Sequence, residues 1–341
     1  MSAKVLIKRD IKQTSLILWG IVVISLLQFP GSAILMLEDW RATIKDNSFQ
    51  LTERQMEQNF VYDLQSLFEG SGFIVLQMVI LVLLAAALLG AERNSGRHDF
   101  LMSLPYKRST IYFYKWFIGT VVFILSHTVS YFLAYALIAG SEFSHVTAEF
   151  PVAQNYVKTL ITLVAIFSFA LFIGTIAGEL ISQIVLTFIF LFFPTGFWNL
   201  LQTLFSIHGG SEIFITPEWI ITITLPINAL TPYNDNLFPY AWLILLMTVI
   251  SYAAGRWLYE RGSNEHNGEF LMFKQLHEFF IIGVTLCFGL LGGAVTSSIA
   301  ANIHSIYQLA AYWIGAGAGV LFSYLVIKKV LQMKTLQSKT A

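Results

Sequence analysis

Long apolar runs, each broken off by a short polar or charged stretch, follow one another along almost the whole chain. A hydrocarbon core takes about 20 mostly apolar residues to cross as a helix. Such runs occur at Leu16–Leu37, Phe73–Ala91, Trp116–Gly140, Val157–Gly178, Leu180–Leu200, Phe238–Tyr259, Phe279–Ala300 and Leu309–Ile327. The pattern predicts an all-α, polytopic membrane helix bundle of about eight transmembrane helices. Only Gly178-Glu179 separates the fourth run from the fifth. A tight turn at Glu179 makes two spans of them; one long bent helix is the alternative.

The polar stretches divide the chain further. Residues 1–15 predict a cytoplasmic interfacial helix, 16–200 the first five spans, and 238–327 the last three around a cytoplasmic loop at 260–278. Residues 328–341 form a basic tail. Within 52–70, Thr52 and Gln55 have capping-box spacing, and Met56, Phe60, Leu64, Leu67 and Phe68 share one helical face. This predicts an amphipathic helix outside the membrane, lying on the bilayer or packed over the bundle, with a gate or docking cap as the sharper alternative. Segment 201–237 carries Pro217, Pro226 and Pro232 and no Lys or Arg, which predicts a second external element of short helices and turns.

Charge orients this arrangement. Charged residues are 12% of the chain and apolar ones 56%, against about 25% charged in soluble domains. With both termini cytoplasmic, sixteen of the 20 Lys and Arg residues fall on or beside the inner segments, and twelve of the 20 acids fall outside. Inverting the chain breaks the positive-inside rule. Lys4, Lys8, Arg9 and Lys12 would hold the first helix to anionic headgroups. That start resembles a signal peptide, but its apolar run continues through Leu37, which favours an uncleaved span.

Candidate chemistry is sparse. No G-x-x-x-x-G-K-[ST] phosphate loop, H-E-x-x-H motif or paired-Cys zinc motif occurs. The reading is a chain without its own nucleotide-binding motif, not an enzyme, binding no metal or cofactor. His127 is the titratable residue near mid-span and Glu179 lies at a helix boundary. Together they are a possible intramembrane polar site, with a hydrogen bond from His127 to a neighbouring helix as the plainer reading. Gly289/Gly293, Gly315/Gly319 and Ala170/Gly174/Gly178 put small residues on single helix faces, where backbones can approach. Trp19, Trp40, Trp116, Trp242 and Trp257 fall near span ends, as interfacial anchors would.

The cytoplasmic segment 92–115 is the most informative. Phe100, Leu101, Met102 and Leu104 cluster between charges and stop at Pro105, and such a cluster needs a surface to cover it. Glu92 ends the second span, Gly96 follows four residues on, and Leu104-Pro105, Arg108 and Lys115 lead into the third. This arrangement resembles the ABC-2 type transporter permease family. The resemblance implies a coupling helix seated in a groove of a separate ABC ATPase subunit, with Glu92, Gly96, Arg97, Phe100, Leu101, Leu104, Pro105 and Arg108 as coupling residues. It also implies ATP and Mg on that partner ATPase and a second permease, as homodimer or related heterodimer. The setting it implies is a bacterial cell membrane, with membrane lipid and no nucleic acid as partner. The later loop repeats part of the pattern: Glu265, then Gly268, Phe270 and Leu271, a possible second ATPase contact. Eight spans rather than six resemble a Bacillus-type group linked to acetoin utilisation and cell-envelope antibiotic response, which implies export or an envelope response. A membrane sensor or immunity protein that binds without transport, and a secondary carrier, are the alternatives.

Overall fold

The computed structural model describes residues 3–45, 52–70, 72–94, 106–148, 150–209, 215–231, 238–262, 269–273, 275–300 and 305–332. Among these, eight helical stretches are long and apolar enough to cross a membrane, and no strand is formed.

Helix α1 (Ala3–Leu26) runs through a five-residue π turn, Leu27–Gly31, into α2 (Ser32–Lys45). Pro30 lies inside the π turn; having no N–H, it cannot continue the α ladder, and a π turn absorbs it. Residues 3–15, expected as an interfacial helix, are continuous within α1 with the first apolar run. Leu6, Asp10, Thr14, Leu18, Ile21, Ser25 and Gln28 form a continuous buried stripe along it.

Helix α3 (Glu53–Gln65) and a π turn, Ser66–Gly70, precede α4 (Gly72–Leu88) and the short α5 (Gly90–Asn94). At the start of α3 the Thr52 N–H donates to Gln55 Oε1 at 3.0 Å. Phe60, Leu64, Leu67 and Phe68 are buried against Phe29, Trp40, Tyr131 and Phe143, so the helix packs over the bundle. Trp40 is accordingly no lipid anchor: it is buried, and its indole N–H donates to Asp63 Oδ2 at 2.9 Å. Trp116, half-buried, donates to Ser168 Oγ at 2.8 Å. Trp19, Trp242 and Trp257 are exposed, as anchors require.

Helices α6 (Arg108–Ala139), α7 (Val152–Ile176) and α8 (Leu180–Ile207) follow. The fourth and fifth spans are separate helices, because Ala177 and Glu179 are both extended. Across the turn, Gln183 donates to the Ala170 carbonyl at 3.0 Å, and a Cβ on Gly174 would stand 2.3 Å from Gln183 Nε2. The small-residue face thus admits a polar side chain of the next span.

Segment 201–237 is described at 201–209 and 215–231, and short helices form there as its prolines predict. Span five runs on to Ile207, and two short helices, α9 (Glu218–Ile223) and α10 (Leu225–Leu230), bury Leu225 and Ala229 in the main core. Asn228 Nδ2 donates to Thr162 Oγ1 at 3.0 Å, and Thr224 Oγ1 accepts from the Thr195 N–H at 3.1 Å. Lys158 donates to the Thr231 carbonyl. Pro217 precedes α9 and Pro226 lies in the first turn of α10, where a missing N–H costs nothing, and polar side chains satisfy backbone groups around them.

Helix α11 (Ala241–Arg261) packs mainly on α7, whereas α12 (Gln275–Ile299) and α13 (Ser305–Gln332) pack mainly on each other. Their seam is a backbone contact. A Cβ on Gly292 would lie 2.3 Å from the Gly315 carbonyl oxygen, and one on Gly319 2.2 Å from that of Phe288. Thr296 Oγ1 bridges the seam to the Ala311 carbonyl at 2.7 Å. This hairpin meets the rest of the bundle mainly through α8.

Candidate functional site

The inner ends of spans one, two and three meet at a buried ion cluster. Asp10 and Thr14 fall one turn apart on the buried stripe of α1, which carries an acid to the inner core. Glu92 lies in α5, where Gly90 lets the chain close onto α8: a Cβ there would stand 2.7 Å from Leu180 Cα. Lys115 sits two turns into α6 and is fully buried.

Lys115 Nζ is 2.8 Å from Glu92 Oε2 and 3.8 Å from Asp10 Oδ2, and it donates to the Leu88 carbonyl at 2.6 Å. Arg9 closes the cluster from the rim, with Nη2 at 2.5 Å from Asp10 Oδ1 and 2.8 Å from Glu92 Oε1. Two cations face two carboxylates, so the group is neutral overall. Charges this buried persist only when paired and hydrogen-bonded, since desolvating each ion costs several kcal/mol.

Next to it, buried Arg93 donates to the carbonyls of Gly174 and Ala177. These belong to the last turn of α7, where carbonyls lack intrahelical partners and the helix dipole favours a cation. The same turn receives the later loop: Ala177 forms an antiparallel bridge with Leu271, and the Met272 N–H donates to the Ile176 carbonyl at 2.8 Å. Arg108 Nη1 donates to the Gly262 carbonyl at 2.7 Å, tying the start of α6 to the end of α11.

Of the residues singled out from sequence, Glu92, Arg108 and Lys115 are brought to this inner floor. Gly96, Arg97, Phe100, Leu101, Leu104 and Pro105 lie outside the described residues, as do Glu265 and Gly268. Leu271 is buried with Ile173, Ala177 and Leu186, and Phe270 packs against Phe280 with ring centroids 5.4 Å apart. The Leu271 side chain is thus buried within the chain. His127 and Glu179 stand in different places. His127 is fully buried among Phe29, Phe123, Tyr131 and Tyr156, and its ring nitrogens have no hydrogen-bond partner among the described residues. The expected bond to a neighbouring helix is replaced by an aromatic box. Glu179 caps the start of α8 and accepts from Ser182 Oγ at 2.8 Å.

Asp10 and Arg93 carried no expectation as site residues, and Arg9, expected at the lipid headgroups, is paired with Asp10 and Glu92. The signal for Asp10 was available: it is the acid among four N-terminal bases, in phase with Leu6, Thr14 and Leu18. Among the described residues no three His, Cys, Asp or Glu side chains gather as a metal would need.

The ion-cluster and Arg93 contacts join spans one to four on either side of the 95–105 segment. Residues 11–194 match the family model described as ABC-2 family transporter protein. The probable ABC transporter permease YtrD of Bacillus subtilis (strain 168) is 29% identical over 275 residues, covering 77% of this chain and 81% of that protein. The probable ABC transporter permease YtrC of the same organism is 28% identical over 238 residues, covering 65% and 70%. No solved structure matches. The chain belongs to the ABC-2 family of transporter proteins, as a multi-pass membrane subunit of an ABC transporter.

Proposed function

We propose that this permease takes its energy from ATP hydrolysed, with Mg, on separate ABC ATPase subunits, and that residues 95–105 receive the ATPase movement. The observation that carries the reading is the anchoring of both flanks of that segment. Glu92 and Arg93 on one side, and Arg108 and Lys115 on the other, are tied to spans one, four and six by the ion cluster and the carbonyl contacts. A push on the segment then moves whole helices rather than bending a loop. A second permease, either another copy or a relative, would complete the pathway; the two similar permeases of one Bacillus strain are compatible with a pair of related subunits.

Co-purification with the ATPase tests the assignment. Phe100→Asp combined with Leu104→Asp is expected to release the ATPase while the permease still reaches the membrane folded. An ATPase that stays bound to the double variant overturns the assignment of the segment.

A further inference from the structure

On the side opposite the ion cluster, an open groove of about 570 Å³ lies between α2, the end of α3 and the start of α4. Its lining is mixed. Met36, Leu67, Phe73 and Leu76 are its apolar lining, and Asp39 and Asp63, with Ser32 and Ser66, its polar lining. A second cleft of about 200 Å³ also borders both carboxylates, so they stand where the two openings adjoin. No Lys or Arg is among the described lining. Leu76 is 48% exposed, and no heavy atom lies within 4 Å of where a Cβ on Gly72 would stand.

We propose that this groove binds a single-chain amphiphile with a cationic head: the alkyl tail along Met36, Phe73 and Leu76, the ammonium between Asp39 and Asp63. Its volume is within the range of small-molecule sites. Charge decides the head group. Two carboxylates with no lining cation repel a phosphate or sulfate and attract an ammonium, and the attraction is strengthened beside the low-dielectric membrane. Asp63 is held in place by the Trp40 indole N–H at 2.9 Å, so the acceptor is fixed before any ligand arrives. The inference concerns binding alone and stands independently of the ATPase coupling.

Binding is measured on the full chain in nanodiscs of neutral phosphatidylcholine, by tryptophan-to-pyrene energy transfer to two probes. One is a pyrene-tailed alkyltrimethylammonium, the other the same tail ending in sulfate. The ammonium probe is expected to saturate and the sulfate probe not to. Asp39→Asn with Asp63→Asn should weaken ammonium binding about tenfold or more, as should Gly72→Leu, which fills the groove. Asp63→Asn keeps an acceptor for Trp40. If the double variant fails to fold, Asp39→Asn and Gly72→Leu decide separately. Equal binding of both probes overturns the proposal, as do variants that bind like the wild type. It also falls if Gly72→Leu alters only self-association, which would make the groove a seat for a second copy. Phe100→Asp with Leu104→Asp should leave probe binding unchanged, which separates this inference from the coupling assignment.

Discussion

Lys115 and Glu92, 23 residues apart across the 95–105 segment, meet at 2.8 Å with both side chains out of contact with solvent. The pair joins the two ends of that segment directly. Neither residue can be removed alone without leaving a buried charge of the opposite sign.

That contact predicts strong non-additivity. Lys115→Met or Glu92→Gln alone should each destabilise the chain by about 3–5 kcal/mol, and the double variant by clearly less than their sum. Thermal unfolding of the purified permease provides the cycle. Additive losses would mean the two groups do not act as a pair.

Arg93 predicts a different signature. Arg93→Ala leaves the Gly174 and Ala177 carbonyls without their donor, which costs about 1–3 kcal/mol. Arg93→Lys keeps the charge at the end of α7 but lacks the guanidinium fork, so it should restore only part of the loss. Equal stability of wild type and Arg93→Ala, read as melting temperature, would contradict the contact.

At the outer end, Arg41 donates to Glu142 from Nε at 2.7 Å and from Nη2 at 3.3 Å. These hydrogen bonds hold the Glu142 carboxyl down to about 2. A depressed carboxylate contributes stability that is fully present above its ordinary value near 4.3. The contribution is lost as pH falls through the lowered value. The stability difference between wild type and Arg41→Ala should therefore be constant from about pH 6 to 8 and shrink between about pH 4 and 2. A difference that grows with pH above neutrality would point to another group.

The glycine seam predicts that Gly315→Val parts the C-terminal helices, because its Cβ would meet the Gly292 carbonyl oxygen at 2.4 Å and Thr296 Oγ1 at 2.0 Å. In a Cys287→Ser background, cysteines placed at Thr296 and Ala311 should cross-link readily. Adding Gly315→Val should abolish the cross-link, and an undiminished yield would count against the seam.

What could be read in the sequence follows from how the bilayer constrains it. A span must be long, apolar and free of charge, so all eight show in the pattern, and even the break at Gly178-Glu179 is visible because one helix of that length cannot fit one bilayer. The buried face of α3 is equally plain, since Phe60, Leu64 and Leu67 repeat at helical spacing. Pairings across the chain are harder. Arg9 meets Glu92 at a separation of 83 residues, and nothing local distinguishes it from Lys8 or Lys12. The short helices of 215–231 follow from their prolines, but how they pack depends on Thr162, Thr195 and Thr224, whose hydroxyls look unremarkable in apolar runs. Leu271 lies in the apolar run 270–273, but nothing local shows that it meets the end of α7, nearly a hundred residues earlier.

The terminal hairpin has a consequence for biogenesis. Because α12 and α13 satisfy one another backbone to backbone and meet the remainder mainly through α8, they can pair within the bilayer as soon as both have left the insertion machinery. The six earlier spans need no contribution from them to close their own core. Assembly then proceeds as two units that form separately and dock once, and a fault in the seam should delay that docking without unravelling the rest.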